Sequence, residues 1–169
     1  MSSQDDLKPR SATVADIAEL VRLRALLLSS GTAVYAARDE TEDKAWKRDY
    51  RTWLGRVLTA ADDQVYVAVI GEPAELLACA VAVVDQRAPT VRCPSGRSGW
   101  VQAVVVDPAV RQQGLGGLVM DHVLGWLRRV GADGVTLQTT AVGAPLYRKL
   151  GFQPSGEELL SRPLGGDQT

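Results

Sequence analysis

A single histidine, His122, and two cysteines, Cys79 and Cys93, are the only imidazole or thiol groups in 169 residues. Their separation fits no metal-ligand spacing, so no structural metal is expected and the thiols should be reduced. A net charge of -1, from 19 basic and 20 acidic residues, lacks the electrostatic footprint of a dedicated nucleic-acid binder. No apolar run approaches the ~20 residues of a membrane helix, and no basic-then-apolar leader opens the chain. A cytoplasmic protein with neither a nucleic-acid nor a membrane partner is expected. The sequence does not repeat at a period of ~20–50 residues, which excludes solenoids.

What is present suits one hydrophobic core. With 46% hydrophobic residues and no break in composition, a single domain is expected over 1–169, with 1–6 and 163–169 as flexible ends. Thr13 and Asp16 stand at capping-box spacing before an apolar period at Ile17, Leu20, Val21, Leu27 and Leu28, which predicts a helix over 13–30. Trp46, Tyr50, Trp53, Leu54, Val57 and Leu58 fall at steps of three and four and predict a second helix over 42–62. Two strands, 64–71 and 75–85, flank a Pro-containing turn and suggest a hairpin. A Pro/Gly-rich loop follows, then a strand over 100–107, a glycine-rich turn and a helix over 115–131. The end reads as a strand over 134–140, a short helix over 143–151 and a weak closing pair of strands in 152–164. This order describes an α/β sandwich with a mixed sheet, whose strands flanking the third helix run parallel.

The chemistry concentrates in the turn "DPAVRQQGLGG", residues 107–117. Glycines between a buried strand and a helix let the backbone approach a guest closely, and the helix start offers N–H groups and a positive dipole end that suit phosphate. A Walker loop fails because no lysine follows the glycines. A dinucleotide fingerprint fits poorly: Val119 stands where a glycine belongs, and Asp133 begins the next strand instead of ending it. The third pattern, Arg/Gln-x-x-Gly-x-Gly/Ala, is matched by Arg111-Gln112-Gln113-Gly114-Leu115-Gly116. Alone it is modest, since a glycine-rich strand–helix turn can also serve packing. A second element, Tyr147-Arg148-Lys149-Leu150-Gly151-Phe152, follows. With both in register, residues 99–152 resemble the GNAT superfamily of acyl-CoA-dependent N-acetyltransferases.

The resemblance implies a mixed sheet with helices on both faces and two parallel strands that splay around acetyl-CoA. It implies that Val104 and Val106 offer backbone groups to pantetheine, Val104 serving also the thioester carbonyl. It places the N–H groups of Gln112, Gln113, Gly114, Leu115, Gly116 and Gly117, with Arg111, around the pyrophosphate. A Cβ at Gly114 or Gly116 would hold that phosphate off. Tyr147 corresponds to the family's tyrosine near the CoA sulfur, where a phenol of pKa ~10 remains a donor at neutral pH. Thr139 and Thr140 stand where many members carry asparagine, and Thr140 is the cofactor contact expected there.

A general base is harder to find. Some members begin the fourth strand with a glutamate, whereas this strand carries Trp100 and Gln102 and no carboxylate before Asp107, which reads as a turn residue. His122 lies on an apolar stripe and reads as packed or hydrogen-bonded, and Cys79 as core. A water chain to Asp85, at the end of the third strand, is the candidate route for the proton. Between the first two helices Asp39, Glu40, Glu42 and Asp43 gather near Tyr35, and carboxylates beside an aromatic face suit a cationic amine. The same acids also suit a helix N-terminus, and Arg87, Arg92 and Arg97 nearby suit an acidic acceptor instead. The expected reaction is direct attack of a primary amine on acetyl-CoA in a ternary complex, without metal. A small-molecule amine or a peptide amine is the expected partner, in a monomer or a homodimer. A non-catalytic acyl-CoA-binding regulatory domain and transfer of a longer acyl group are the alternatives.

Overall fold

The computed structural model describes residues 7–29 and 36–165. Chain contacts group the protein into two compact units, residues 1–138 and 139–169. The expected flexible ends fall largely outside the described residues, as do 1–6 entirely and Tyr35.

In the first unit a five-stranded sheet runs in sequence order, β1 (Arg10–Ser11), β2 (Val65–Glu72), β3 (Glu75–Gln86), β4 (Arg97–Val106) and β5 (Gly134–Leu137). The first four strands are antiparallel neighbours and β5 joins β4 in parallel, so the sheet is mixed as expected. The parallel pair follows from the intervening helix α3 (Leu115–Arg129), because a crossover returns the chain in the same direction. β1 was not anticipated, being only two residues in a polar segment. β4 begins at Arg97, earlier than expected, because Ser98 and Gly99 pair with Asp85 and Val84 of β3.

Strand alternation sorts the two faces. Val67, Val69, Cys79 and Val81 pack with Leu20 and Leu23 of α1 (Ile17–Ser29) and with Tyr50 and Leu54 of α2 (Glu40–Val57). The alternate residues Ala68, Ile70, Ala78, Ala80 and Ala82 are buried, and α3 packs against β2, β3 and β4. The alanines and Gly99 let α3 come close: a Cβ on Gly99 would sit 2.9 Å from Leu127 Cδ2.

The entry to α1 is fixed by charge. Asp16, fully buried, accepts from Arg10 Nη1 and Nη2 at 2.9 and 2.8 Å and from the Thr13 N–H at 2.7 Å. Burial alone would raise this carboxyl, but the bonds from Arg10 and Thr13 prevail and hold it below its ordinary value.

The second unit holds α4 (Ala144–Lys149). Gly151, at φ 89, stops it, and the Phe152 N–H returns to Tyr147 O at 3.0 Å. The closing strands expected in 152–164 do not form. Pro154, Pro163 and a left-handed Gly156 interrupt the segment, and Leu159 and Leu160 remain 60% and 81% exposed.

Candidate functional site

The site begins where β4 and β5 part. β5 pairs with β4 only from Ser98↔Gly134 to Val101↔Leu137. Just beyond, Ala103 adopts φ 54, and the register against β3 shifts between Cys79 and Val81, which face Val105 and Gln102. This is a β-bulge on β4, and bulges bend a strand and end its pairing. The Asp107 N–H donates to Leu77 O at 2.8 Å on the β3 side. Backbone groups alternate sides along a strand, so Val104 and Val106 turn theirs to the opposite edge, where β5 has already ended.

The turn after β4 is anchored and strained. Asp107 Oδ1 accepts the Ala109 N–H at 2.9 Å, and Oδ2 pairs with Arg22 at 2.6 Å. Those two contacts hold the Asp107 carboxyl below its ordinary value. Arg22 also binds Glu19 at 2.8 Å and Leu76 O at 2.9 Å, tying the turn to α1. Asp107 is thus the turn residue expected, and its proton-accepting oxygens are engaged. Gln112 and Gly114 follow at φ 64 and 81. Among the described residues, Ala103 and Gln112 are the two non-glycines with positive φ, and both lie here. Each such residue costs ~1–3 kcal/mol and persists where surrounding structure imposes it, a pattern that concentrates at functional sites.

After Val110, the first backbone N–H of this turn with a backbone acceptor is that of Leu118, which reaches Gly114 O at 3.1 Å. The N–H groups of Gln112, Gln113, Gly114, Leu115, Gly116 and Gly117 precede it and find no backbone acceptor among the described residues, as at the start of any α-helix. Arg111 to Gly114 are exposed, whereas Leu115 and Gly116 are buried. A Cβ at Gly114 or Gly117 would meet nothing within 4 Å. Gly114 is therefore required by its left-handed backbone, and the open space beside it leaves room for a guest. Strained backbone, unpaired N–H groups and a dipole end together fit a pyrophosphate.

On the α1/α2 face, a cavity of about 340 Å³ is lined by Arg24, Asp49, Tyr50, Trp53, Val81 and Gln102. Gln102 immediately precedes the bulge, so this cavity reaches the same point on β4. It adjoins a second of about 570 Å³ that shares Arg24, Asp49 and Tyr50. The Tyr50 and Trp53 rings stack, 5.9 Å between centroids. Sequence reasoning used Tyr50 and Trp53 only as helix markers and passed over Arg24 and Asp49. The available signal was spacing: Asp49 and Trp53 stand four apart, hence on one face of α2.

Cys79 is buried beneath this region, and burial pushes its thiol up to about 12. His122 lies on the other face of the sheet, its Nε2 2.8 Å from the Tyr66 hydroxyl, where burial lowers its pKa. Both match the structural roles expected of them. Asp85 sits four residues along β3 from Val81, about 13 Å at strand rise, with Arg87 Nη2 3.5 Å away. Asp39 caps α2 by accepting the Glu42 N–H at 2.8 Å, and Glu40 pairs with Lys44 at 2.7 Å. Glu42 pairs with Arg38, and Asp43 with Lys47 at 2.6 Å. Asp39 and Glu40 nonetheless line a further cavity of about 350 Å³.

In the second unit, Tyr147 is half-buried on α4, its ring edge-on to Phe152 at 6.0 Å. Burial raises its phenol above the ordinary value. Thr140 Oγ1 accepts the Gly143 N–H at 3.3 Å, shaping the turn into α4. Among the described residues no three His, Cys, Asp or Glu side chains group as metal ligands, and no helix is long and apolar enough to cross a membrane.

A family model described as Acetyltransferase (GNAT) family matches residues 20–152. Among solved structures, a GCN5-related N-acetyltransferase from Ralstonia eutropha is 26% identical with a TM-score of 0.75, covering 94% of this chain and 99% of its own. A predicted acetyltransferase with acetyl-CoA from Clostridium acetobutylicum is 20% identical, with a TM-score of 0.75 over 92% of this chain and 95% of its own. Glucosamine-6-phosphate N-acetyltransferase from Arabidopsis thaliana is 19% identical, with a TM-score of 0.65 over 94% and 98%. No curated protein sequence matches.

Proposed function

Because the chain belongs to the GNAT acetyltransferase family, we propose that it transfers an acetyl group from acetyl-CoA to a primary amine by direct attack in a ternary complex. The observation that carries this reading is the coincidence of two strained backbone positions in the first unit, Ala103 in β4 and Gln112 in the turn that leads into α3. Ala103 bends β4 away from β5 and frees the Val104 and Val106 backbone. Gln112 opens the run of N–H groups that begins α3.

Acetyl-CoA, when bound, supplies an acyl group activated as a thioester. The chain's own residues then bind and align. Val104 and Val106 offer N–H and C=O groups along the freed edge, with the Val104 N–H assigned to polarising the carbonyl. The N–H groups of Gln112 to Gly117, with Arg111, hold the pyrophosphate, and the Thr140 hydroxyl is assigned a further contact. Tyr147 keeps its proton at neutral pH and is assigned as donor to the departing sulfur. Alignment of the amine against a fixed carbonyl supplies much of the acceleration. A covalent route through Cys79 is disfavoured, because a thiol at about 12 holds almost no thiolate at neutral pH. The amine's proton leaves through water, with Asp85 as candidate acceptor.

The test is release of free CoA from acetyl-CoA in the presence of polyamines, amino acids, aminoglycosides and peptide amines. Amine-dependent release supports the reading. Tight acetyl-CoA binding without release, with every amine, would make the chain a non-catalytic acyl-CoA-binding domain.

A further inference from the structure

We propose that the amine acceptor also carries a carboxylate and that Arg24 binds it, so that the substrate class is small amino acids; this rests on the acyl-transfer reading of the same site. Four arginines among the described residues are partly buried: Arg10, Arg22, Arg24 and Arg97. Three are held by fixed acceptors. Arg10 bonds Asp16 and Gly71 O, Arg22 bonds Glu19, Asp107 and Leu76 O, and Arg97 Nε bonds Val130 O at 2.8 Å. Arg24 is different. Its guanidinium carbon lies 4.8 Å from the Tyr50 ring centroid, and Tyr50 is the polar group it touches among the described residues. No described carboxylate lies within ion-pair distance of it.

A guanidinium has five N–H donors, and one phenol oxygen leaves most of them unused. Arg24 lines both the 340 Å³ cavity and the adjoining 570 Å³ one. Those unused donors, partly buried at the wall of both cavities, are available to a ligand's anion. A carboxylate matches the guanidinium fork with two parallel bonds. Asp49 lines the same two cavities; Arg48 engages its Oδ1 at 3.0 Å, and its Oδ2 offers the complementary charge to an ammonium group. Cation and anion at one cavity select a zwitterion, and the Asp49 carboxylate beside a single guanidinium favours a carboxylate over a dianionic phosphate. The size agrees: 340 Å³ is near the lower end of small-molecule sites, roughly 300–1,000 Å³. Tyr50 and Trp53 provide an aromatic wall for the ligand's apolar body, and Gln102 brings the cavity to the β4 bulge.

Matched pairs test this: leucine against isoamylamine and phenylalanine against phenethylamine, with phosphoethanolamine as the phosphate arm. kcat and KM from CoA release are compared in wild type, Arg24→Gln and Arg24→Lys, with acetyl-CoA affinity and thermal midpoint as checks on folding. In wild type each amino acid should exceed its decarboxylated partner about tenfold or more in kcat/KM, mainly through KM. Arg24→Gln should bring the members of each pair together, and Arg24→Lys should keep part of the difference. Equal use of both members, preference for phosphoethanolamine, or a preference that survives Arg24→Gln would overturn the proposal while leaving acyl transfer standing. If no amine releases CoA, the acyl-transfer reading falls, and a tryptophan-fluorescence titration with leucine decides this one. Saturable binding lost in Arg24→Gln would uphold the carboxylate site; no binding, or binding unchanged in the variant, would overturn it.

Discussion

Two glycines at opposite ends of α3 allow the phosphate cradle to be separated from simple stability. Gly114 lies before the helix at φ 81 and Gly131 just past it at φ 78, and a Cβ at either would meet nothing within 4 Å. Alanine at each position therefore carries the same penalty, the left-handed backbone, with no clash added. That penalty is ~1–2 kcal/mol, or a fall in Tm of roughly 2–8 °C for a chain of this size. Only Gly114 sits among the N–H groups assigned to the pyrophosphate. If its turn relaxes and one charge-assisted bond is lost, at ~1.5–3 kcal/mol, acetyl-CoA affinity should fall about 10- to 150-fold. Thermal unfolding and isothermal titration calorimetry on Gly114→Ala and Gly131→Ala read the two effects separately. Similar falls in Tm with weakened binding in Gly114→Ala alone are expected. Wild-type affinity in a folded Gly114→Ala, or equal weakening in both variants, would refute the cradle.

Other outcomes follow from the same structure. Asp16→Asn should cost about 2–4 kcal/mol at pH 7, since it leaves a partly buried Arg10 without its counter-charge. The native carboxyl titrates below its unfolded value of ~3.9, so its stabilisation is full above that pH and is lost as pH falls through the lower native value. In urea unfolding, the gap between wild type and variant should narrow toward pH 3; a constant gap would show that charge is not the cause. Tyr147→Phe should lower kcat by ~10²-fold or more while leaving acetyl-CoA affinity within about twofold, because a donor to the departing sulfur acts in the transition state. Wild-type turnover with a verified amine would make Tyr147 structural. Asp39→Asn/Glu40→Gln should raise the KM of a cationic amine such as isoamylamine and flatten its salt dependence, as expected when carboxylates concentrate a cation. Equal KM and equal salt response would confine both acids to helix capping.

The helices and central strands were legible because their periods are strong: steps of three and four in α2 and alternation through β2 and β3. The Gly114 turn was legible because glycine advertises a left-handed backbone. Ala103 and Gln112 take the same conformation with side chains that advertise nothing, so the bulge that parts β4 from β5 could be expected only from family resemblance. Asp39 is a cap whose role a local pattern reveals, yet in the sequence it was equally an acceptor contact. Arg24 was invisible for another reason. On a helix an arginine is ordinarily a solvated charge, and only tertiary packing under Tyr50 shows that this one borders two cavities. The tail misled because "FQPSGEELLSRPL" has strand-like apolar residues, while its prolines and Gly156 deny the backbone a ladder.

The most direct test of acyl transfer is the two-substrate initial-rate pattern, with acetyl-CoA and the best amine varied together and the product identified by mass. A ternary complex predicts intersecting double-reciprocal lines and a product carrying one acetyl group on nitrogen. Parallel lines with an acetylated enzyme, or acetyl-CoA consumption independent of any amine, would contradict the account.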